Sequence, residues 1–197
     1  MDPVPTASSG LRSGAAASRR RDILAAAIQL FYERGYRDTG IDDIGRAVGM
    51  SGPSIYHHFK SKQEILEKSL IEFGRQEMGR VQTILDTDSP AQALQHLIDQ
   101  EIDAFLEFPA ISAVGMRERR FLGSGMQALV ELAERQHRQM LVQILMRERP
   151  ELSAAEAETI IRCCQRMILA LTDFHPDLER PELSALLKRM ARRVLAS

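Results

Sequence analysis

An all-α fold is what this chain predicts, and three observations carry the prediction. From about residue 18 onward, apolar residues recur at helical spacing, and no stretch alternates as a half-buried strand does. Residues that open and close helices punctuate the chain at regular intervals. Hydrophobic residues make up 44% of the 197 and charged residues 27%, which provides for a core and argues against a disordered chain. The expected count is about nine helices: three small ones, a linking fourth and five longer ones.

Residues 1–17 are rich in Pro, Ser, Gly and Ala and read as a disordered tail. The first helix is expected from about Ser18 to Arg34, with Ile23, Leu24, Ala27, Ile28 and Phe31 on one face and Gly35 ending it. Thr39 offers a cap for a short helix that turns Ile41, Ile44 and Val48 inward, and Gly49 stops it. Ser51 caps a third, Gly52 to about Phe59, with Pro53 in its first turn, where the missing N–H costs least. Ser61-Lys-Gln-Glu64 has capping-box spacing and opens a fourth helix that continues toward Leu85. Ser89-Pro90 starts a helix to about Phe108, and Pro109 a shorter one to about Arg119. Gly123 and Gly125 precede a long helix that ends before Pro150. A second capping box, Ser153-Ala-Ala-Glu156, opens a helix to about Phe174, and Pro181 begins the last, which ends near Leu195.

Charge is divided unevenly along the chain. The total is 26 Lys and Arg against 27 Asp and Glu, yet the first 62 residues carry net +3 and the remainder net −4, so the two parts are expected to face different partners. No apolar run approaches the roughly 20 residues needed to span a bilayer, and the N-terminus lacks an apolar signal core. A cytoplasmic protein with no membrane partner is the expectation. Cys163 and Cys164 are adjacent, and their side chains diverge by about 100° on a helix, too far apart for an unstrained disulfide. His57 and His58 diverge likewise and have no third ligand at metal-binding spacing. No metal and no cofactor are expected, and no catalytic nucleophile–base or paired-carboxylate signature is visible.

Residues 41–60, IDDIGRAVGMSGPSIYHHFK, contain the informative constellation. Two short amphipathic helices joined at Gly49 need a small residue at their crossing and a residue that accepts positive φ in the turn, and Gly45 and Gly49 supply these. Ile44, Val48, Met50 and Ile55 surround the crossing, so the segment satisfies a helix-turn-helix whose second helix, Gly52 to Phe59, enters the major groove of DNA. Ser51, Gly52 and Ser54 are small enough for close approach, while Tyr56 and His57 are long enough to reach bases or backbone. Lys60 and Lys62 suit phosphate neutralisation, and Thr39 could donate a hydroxyl to phosphate as well as capping. No Asn, Gln or Arg lies on this face, so base readout is expected to be modest and to lean on Tyr56, the serines and DNA shape. Arg19, Arg20 and Arg21, with Arg12 on the tail, are either a solvated helix start or additional DNA contacts.

Residues 35–66, GYRDTGIDDIGRAVGMSGPSIYHHFKSKQEIL, resemble the DNA-binding domain of the TetR family of transcriptional regulators over about 45 residues once the first helix is included. That resemblance implies a homodimer, a near-palindromic double-stranded operator and a C-terminal ligand-binding domain. It also implies DNA contact by Tyr56 and phosphate contact by Thr39 and Lys60. Gly40 stands where a second hydroxyl is common in the family, and Gly45 where Ala is common. The expected division is a DNA-binding domain at 18–62 and a ligand-binding and dimerisation domain at 63–197, the latter by analogy alone.

In that second domain the abundant methionine suits an adaptable pocket for a small apolar or amphipathic molecule. Phe105, Met116, Met126 and Met167 are the candidate lining residues, with His96 and His137 as candidate polar anchors. The last two helices carry apolar stripes from which Ile161, Ile168, Leu183, Leu187 and Met190 are taken as the dimer interface. The expected function is a ligand-responsive repressor. Its rivals are a helical interaction module, or an all-α enzyme, that retains a helix-turn-helix.

Overall fold

The computed structural model describes residues 8–172 and 176–196, and the side chains of 8–16, 90, 91 and 172 lie outside that description. Within it the chain forms α1 (Ser8–Arg34), α2 (Ile41–Ala47), α3 (Gly52–Ile55), α4 (Lys62–Thr87), α5 (Pro90–Glu107), α6 (Pro109–Arg117), α7 (Ser124–Glu148), α8 (Ala154–Leu169) and α9 (Arg180–Leu195). Short 3-10 turns follow α6 at Arg119–Phe121 and α8 at Ala170–Thr172, and no strand occurs among the described residues. Phe174, the expected end of the eighth helix, lies outside the described residues.

Two boundaries differ from expectation. α1 starts at Ser8 rather than Ser18 and takes in the second half of the segment expected as a tail at 1–17, of which residues 1–7 lie outside the described residues. No proline follows Pro5 in this stretch, and Ala15–Ala17 are the strongest helix formers, although Gly10 and Gly14 weaken the first turns. The third helix is shorter than expected: α3 stops at Ile55 and the chain continues through turns at Tyr56–His58.

The chain divides into two compact units. The first runs to Glu72 and takes in Val114–Leu122, while the second comprises Phe73–Ala113 and the chain from Gly123 on. The first unit thus extends ten residues past the expected border at 62/63, into α4. The first turns of α4 belong with the helix-turn-helix because Ile65, Leu66 and Ser69 are buried there.

The first unit packs Ile23, Leu24, Ala27, Ile28 and Phe31 of α1 with Ile44, Ile55, Phe59, Ile65 and Leu66. In the second unit α5, α7, α8 and α9 surround a core that includes Leu97, Ile98, Ile102, Leu141, Leu145, Ile161, Cys164, Ile168, Leu187 and Ala191. Among the described residues no helix is long and apolar enough to cross a membrane, and no group of three or more His, Cys, Asp or Glu is placed to hold a metal.

Candidate nucleic-acid interface

Gly45 makes the steep crossing of α2 and α3. A Cβ there would stand 2.8 Å from the Met50 carbonyl oxygen and 3.1 Å from the Gly52 nitrogen, so the two backbones meet where no side chain fits. Gly49 turns between them with φ +67°, in the left-handed region that glycine enters without strain. The Met50 N–H then donates to the Gly45 carbonyl, 2.8 Å, and closes the turn. The glycine that departs from the family's usual Ala is thus the residue this crossing requires.

The outward face follows from that geometry. Ser51, Pro53, Tyr56, His57 and Lys60 are exposed, with Tyr56 at 57%. No residue from Ser51 to Lys60 is acidic. The hydroxyls of Ser51 and Ser54 bond each other at 2.7 Å. Arg46 stands outward on α2 with its guanidinium on Asp43 at 3.0 Å, and Arg37 is exposed in the turn before α2. Neither arginine was singled out from sequence. For Arg46 the available signal was its place among the polar positions of α2, away from Ile44 and Val48.

Three expected contact residues are placed inward, and each placement has a physical reason. Thr39 is 0% exposed, and its hydroxyl donates toward the Gly35 carbonyl at 2.9 Å and the Leu30 carbonyl at 3.3 Å, so it closes the end of α1. Gly40, not Thr39, is the N-cap of α2, and its N–H donates to the Asp43 carboxylate at 2.9 Å. That bond is the main reason the Asp43 carboxyl is held below its ordinary range.

Gly52 is buried beneath Asp42, whose Oδ1 would lie 1.8 Å from a Cβ at that position. The glycine there admits an aspartate side chain, not a phosphate. Lys62 extends its ammonium back to the carbonyls of Tyr36 at 2.6 Å and Thr39 at 2.7 Å and over the Tyr36 ring at 4.3 Å from the centroid, and burial lowers its pKa. It secures the turn before α2.

The arginine run divides in the same way. Arg20 donates to the His58 carbonyl and lies 4.2 Å from the centre of the Phe59 ring, which fixes the end of the recognition segment, while Arg19 and Arg21 are exposed. The Arg12 side chain lies outside the described residues.

Three of the four expected pocket residues belong to the second unit. Phe105 and Met167 belong to its core or the edge of it, and Met126 is half-buried on α7, but Met116 belongs to the first unit and is 40% exposed. His96 is exposed and pairs with Asp88 at 2.6 Å, whereas His137 is half-buried on Glu101. Burial, with Glu101 adding to it, raises the Cys164 thiol to about 11, far from a reactive thiolate.

The residues expected at the dimer interface divide by burial. Ile161, Ile168 and Leu187 are sealed in the chain's own core, and Leu183 packs at its edge. Of the five, only Met190 is exposed, at 41%.

The fold and this face define a helix-turn-helix DNA-binding protein. Residues 23–68 match the family model described as bacterial regulatory proteins, tetR family. The transcriptional repressor KstR2 of Mycolicibacterium smegmatis is 36% identical over 131 residues, which are 66% of this chain and 64% of that protein, so the match spans just under two thirds of that relative. KstR2 of Mycobacterium tuberculosis H37Rv is 33% identical over 135 residues, 68% of each chain.

A solved structure described as the ketosteroid transcriptional regulator KstR2 of Mycobacterium tuberculosis superposes with TM-score 0.76 and 25% identity, covering 90% of this chain and 93% of that one. AibR, solved with isovaleryl coenzyme A and operator DNA, shares the fold with TM-score 0.71 and 21% identity, covering 87% and 97%. This chain belongs to the TetR family of transcriptional regulators.

Proposed function

We propose that this protein is a cytoplasmic, homodimeric repressor that holds a two-fold-symmetric operator and releases it when a small apolar or amphipathic molecule binds the second unit. The observation that carries the proposal is the exposure of Ser51, Pro53, Tyr56, His57 and Lys60 in a segment that itself contains no acidic residue. Tyr56 and His57 reach for the major groove there, with Lys60 and Arg46 toward the phosphates. The relatives named as repressors support the direction of control. AibR, solved with both an acyl-coenzyme A and DNA, supports response to a ligand, and the regulator named for ketosteroids favours a steroid-like skeleton for it.

For the dimer, the outward edge of α8 and α9 takes the place of the residues expected from sequence. Ile160 and Met167 on α8, and Leu183, Leu186 and Val194 on α9, are half-buried, and Met190 on α9 is exposed. Paired about a two-fold axis, these stripes would bury one another as a four-helix bundle. The recognition segments would then address half-sites about 34–36 Å apart, one turn of B-DNA.

Selection of double-stranded DNA from a random pool tests this reading. The expected result is a two-fold motif whose affinity falls with salt. Tyr56→Ala should weaken binding and relax the sequence preference, whereas Lys60→Ala should weaken all sequences alike and reduce the salt slope by about 1. Recovery of no motif, or binding indifferent to both substitutions, overturns the proposal.

A further inference from the structure

Nine residues far along the chain, Val114–Leu122, fold into the same unit as the helix-turn-helix, although the chain on either side of them belongs to the second unit. Val114 and Leu122 are buried at its two ends. Between them Glu118 is only 9% exposed, and its Oε1 accepts the Tyr36 N–H at 3.2 Å. That N–H follows Gly35, whose φ of +86° has already ended α1, so no helical carbonyl faces it. Phe121 stacks on the Tyr36 ring, with centroids 4.5 Å apart and planes 22° apart, and the Arg37 guanidinium lies 5.4 Å from the Phe121 centroid.

The stretch from Gly35 to Gly40 sets where α2 begins, and hence where the α2–α3 pair stands. Two of its restraints are local to the motif: the Thr39 hydroxyl on the end of α1, and Lys62 on the carbonyls of Tyr36 and Thr39. A further restraint, Glu118 with Phe121, is carried by a piece of this unit whose two ends both continue into the other.

We propose that Glu118 and Phe121 are positioning residues for operator binding, which hold the 35–40 turn in the conformation that presents the recognition segment. Displacing the end of α6 would release this turn without touching the motif itself. The inference rests on the DNA-binding reading, and the test separates the two.

Electrostatics makes the test discriminating. Removing a carboxylate from a DNA-binding unit favours a polyanion by charge alone, so a loss of affinity reports position, not charge. With DNA selected by the wild-type protein, Glu118→Ala and Phe121→Leu should each weaken binding by at least about fivefold and speed amide hydrogen exchange in residues 35–40. Glu118→Gln keeps an acceptor for the Tyr36 N–H and Phe121→Tyr keeps the ring, so both should bind within about threefold of wild type.

The wild-type protein provides a measurement that does not depend on how the variants fold. DNA should slow exchange in 35–40 and in 114–122 together. Protection confined to the motif, or a Glu118→Ala protein that binds as well as or better than wild type, overturns the inference. Absence of DNA binding by the wild-type protein would instead overturn the reading beneath it.

Discussion

At Gly45 one hydrogen atom decides whether the recognition motif closes. The atoms that a Cβ would meet at 2.8–3.1 Å belong to the backbone at Met50, Ser51 and Gly52, and backbone cannot swing aside as a long side chain does. Gly45→Ala is expected to cost about 1–3 kcal/mol through overpacking, seen as a lower urea midpoint at unchanged slope, together with loss of operator binding. A variant as stable as wild type would show that the crossing is looser than this. The role of Gly45 was legible because it needs only local spacing. The roles of Thr39 and Lys62 were not. A hydroxyl and an ammonium near a DNA-facing turn look alike whether they point out or in. The Lys62 partners lie 23–26 residues away in the chain, and no local pattern names them.

Helix starts marked by capping-box spacing were readable, because a cap is satisfied within four residues. At α8 the full reciprocal pair forms: the Glu156 N–H donates to Ser153 Oγ at 3.3 Å, and the Ser153 N–H donates to the Glu156 carboxylate at 2.8 Å. At α4 the Glu64 N–H donates to Ser61 Oγ at 3.0 Å, but the Glu64 carboxylate takes the N–H of Lys60 instead of Ser61.

Ser153→Ala is expected to cost about 1 kcal/mol, measured by denaturant unfolding. The bonds from Ser153 hold the Glu156 carboxyl below the ordinary value of 4.5. A group depressed in the folded state stabilises fully above its unfolded value and loses that contribution as pH falls through the folded one. The gap between wild type and Ser153→Ala should therefore be constant above pH 4.5 and narrow on further acidification; a gap independent of pH would separate the cap from the carboxylate. Which apolar stripe of α8 faces the core was not legible. Ile160 and Ile161 both lie on helical repeats, and periodicity does not say which one meets α5 and α7.

Across the molecule, glycine is distributed with a pattern. Past Gly52 the chain has only five, Gly74, Gly79, Gly115, Gly123 and Gly125, and all lie close to the three points where it passes from one unit to the other. Gly74 and Gly79 lie inside α4, where a Cβ would meet nothing within 4 Å. Packing does not require them, so they soften the helix just past the border. Gly74→Ala and Gly79→Ala are each expected to stabilise the protein by roughly 0.5–1 kcal/mol, visible as a higher thermal midpoint. A lower midpoint in either variant would reveal a neighbour that these open positions do not show.

Residue order alone settled the helical class, the helix-turn-helix and its glycine turn, because capping, turning and amphipathic spacing act over a few neighbours and leave their trace in adjacent letters. It could not settle that Thr39, Gly52 and Lys62 turn inward, that Ile161, Ile168 and Leu187 are buried in the chain's own core, or that Glu118 and Phe121 join a motif some eighty residues earlier. Those outcomes depend on which surfaces meet once the helices pack, and that is set by burial and hydrogen bonding between residues distant along the chain.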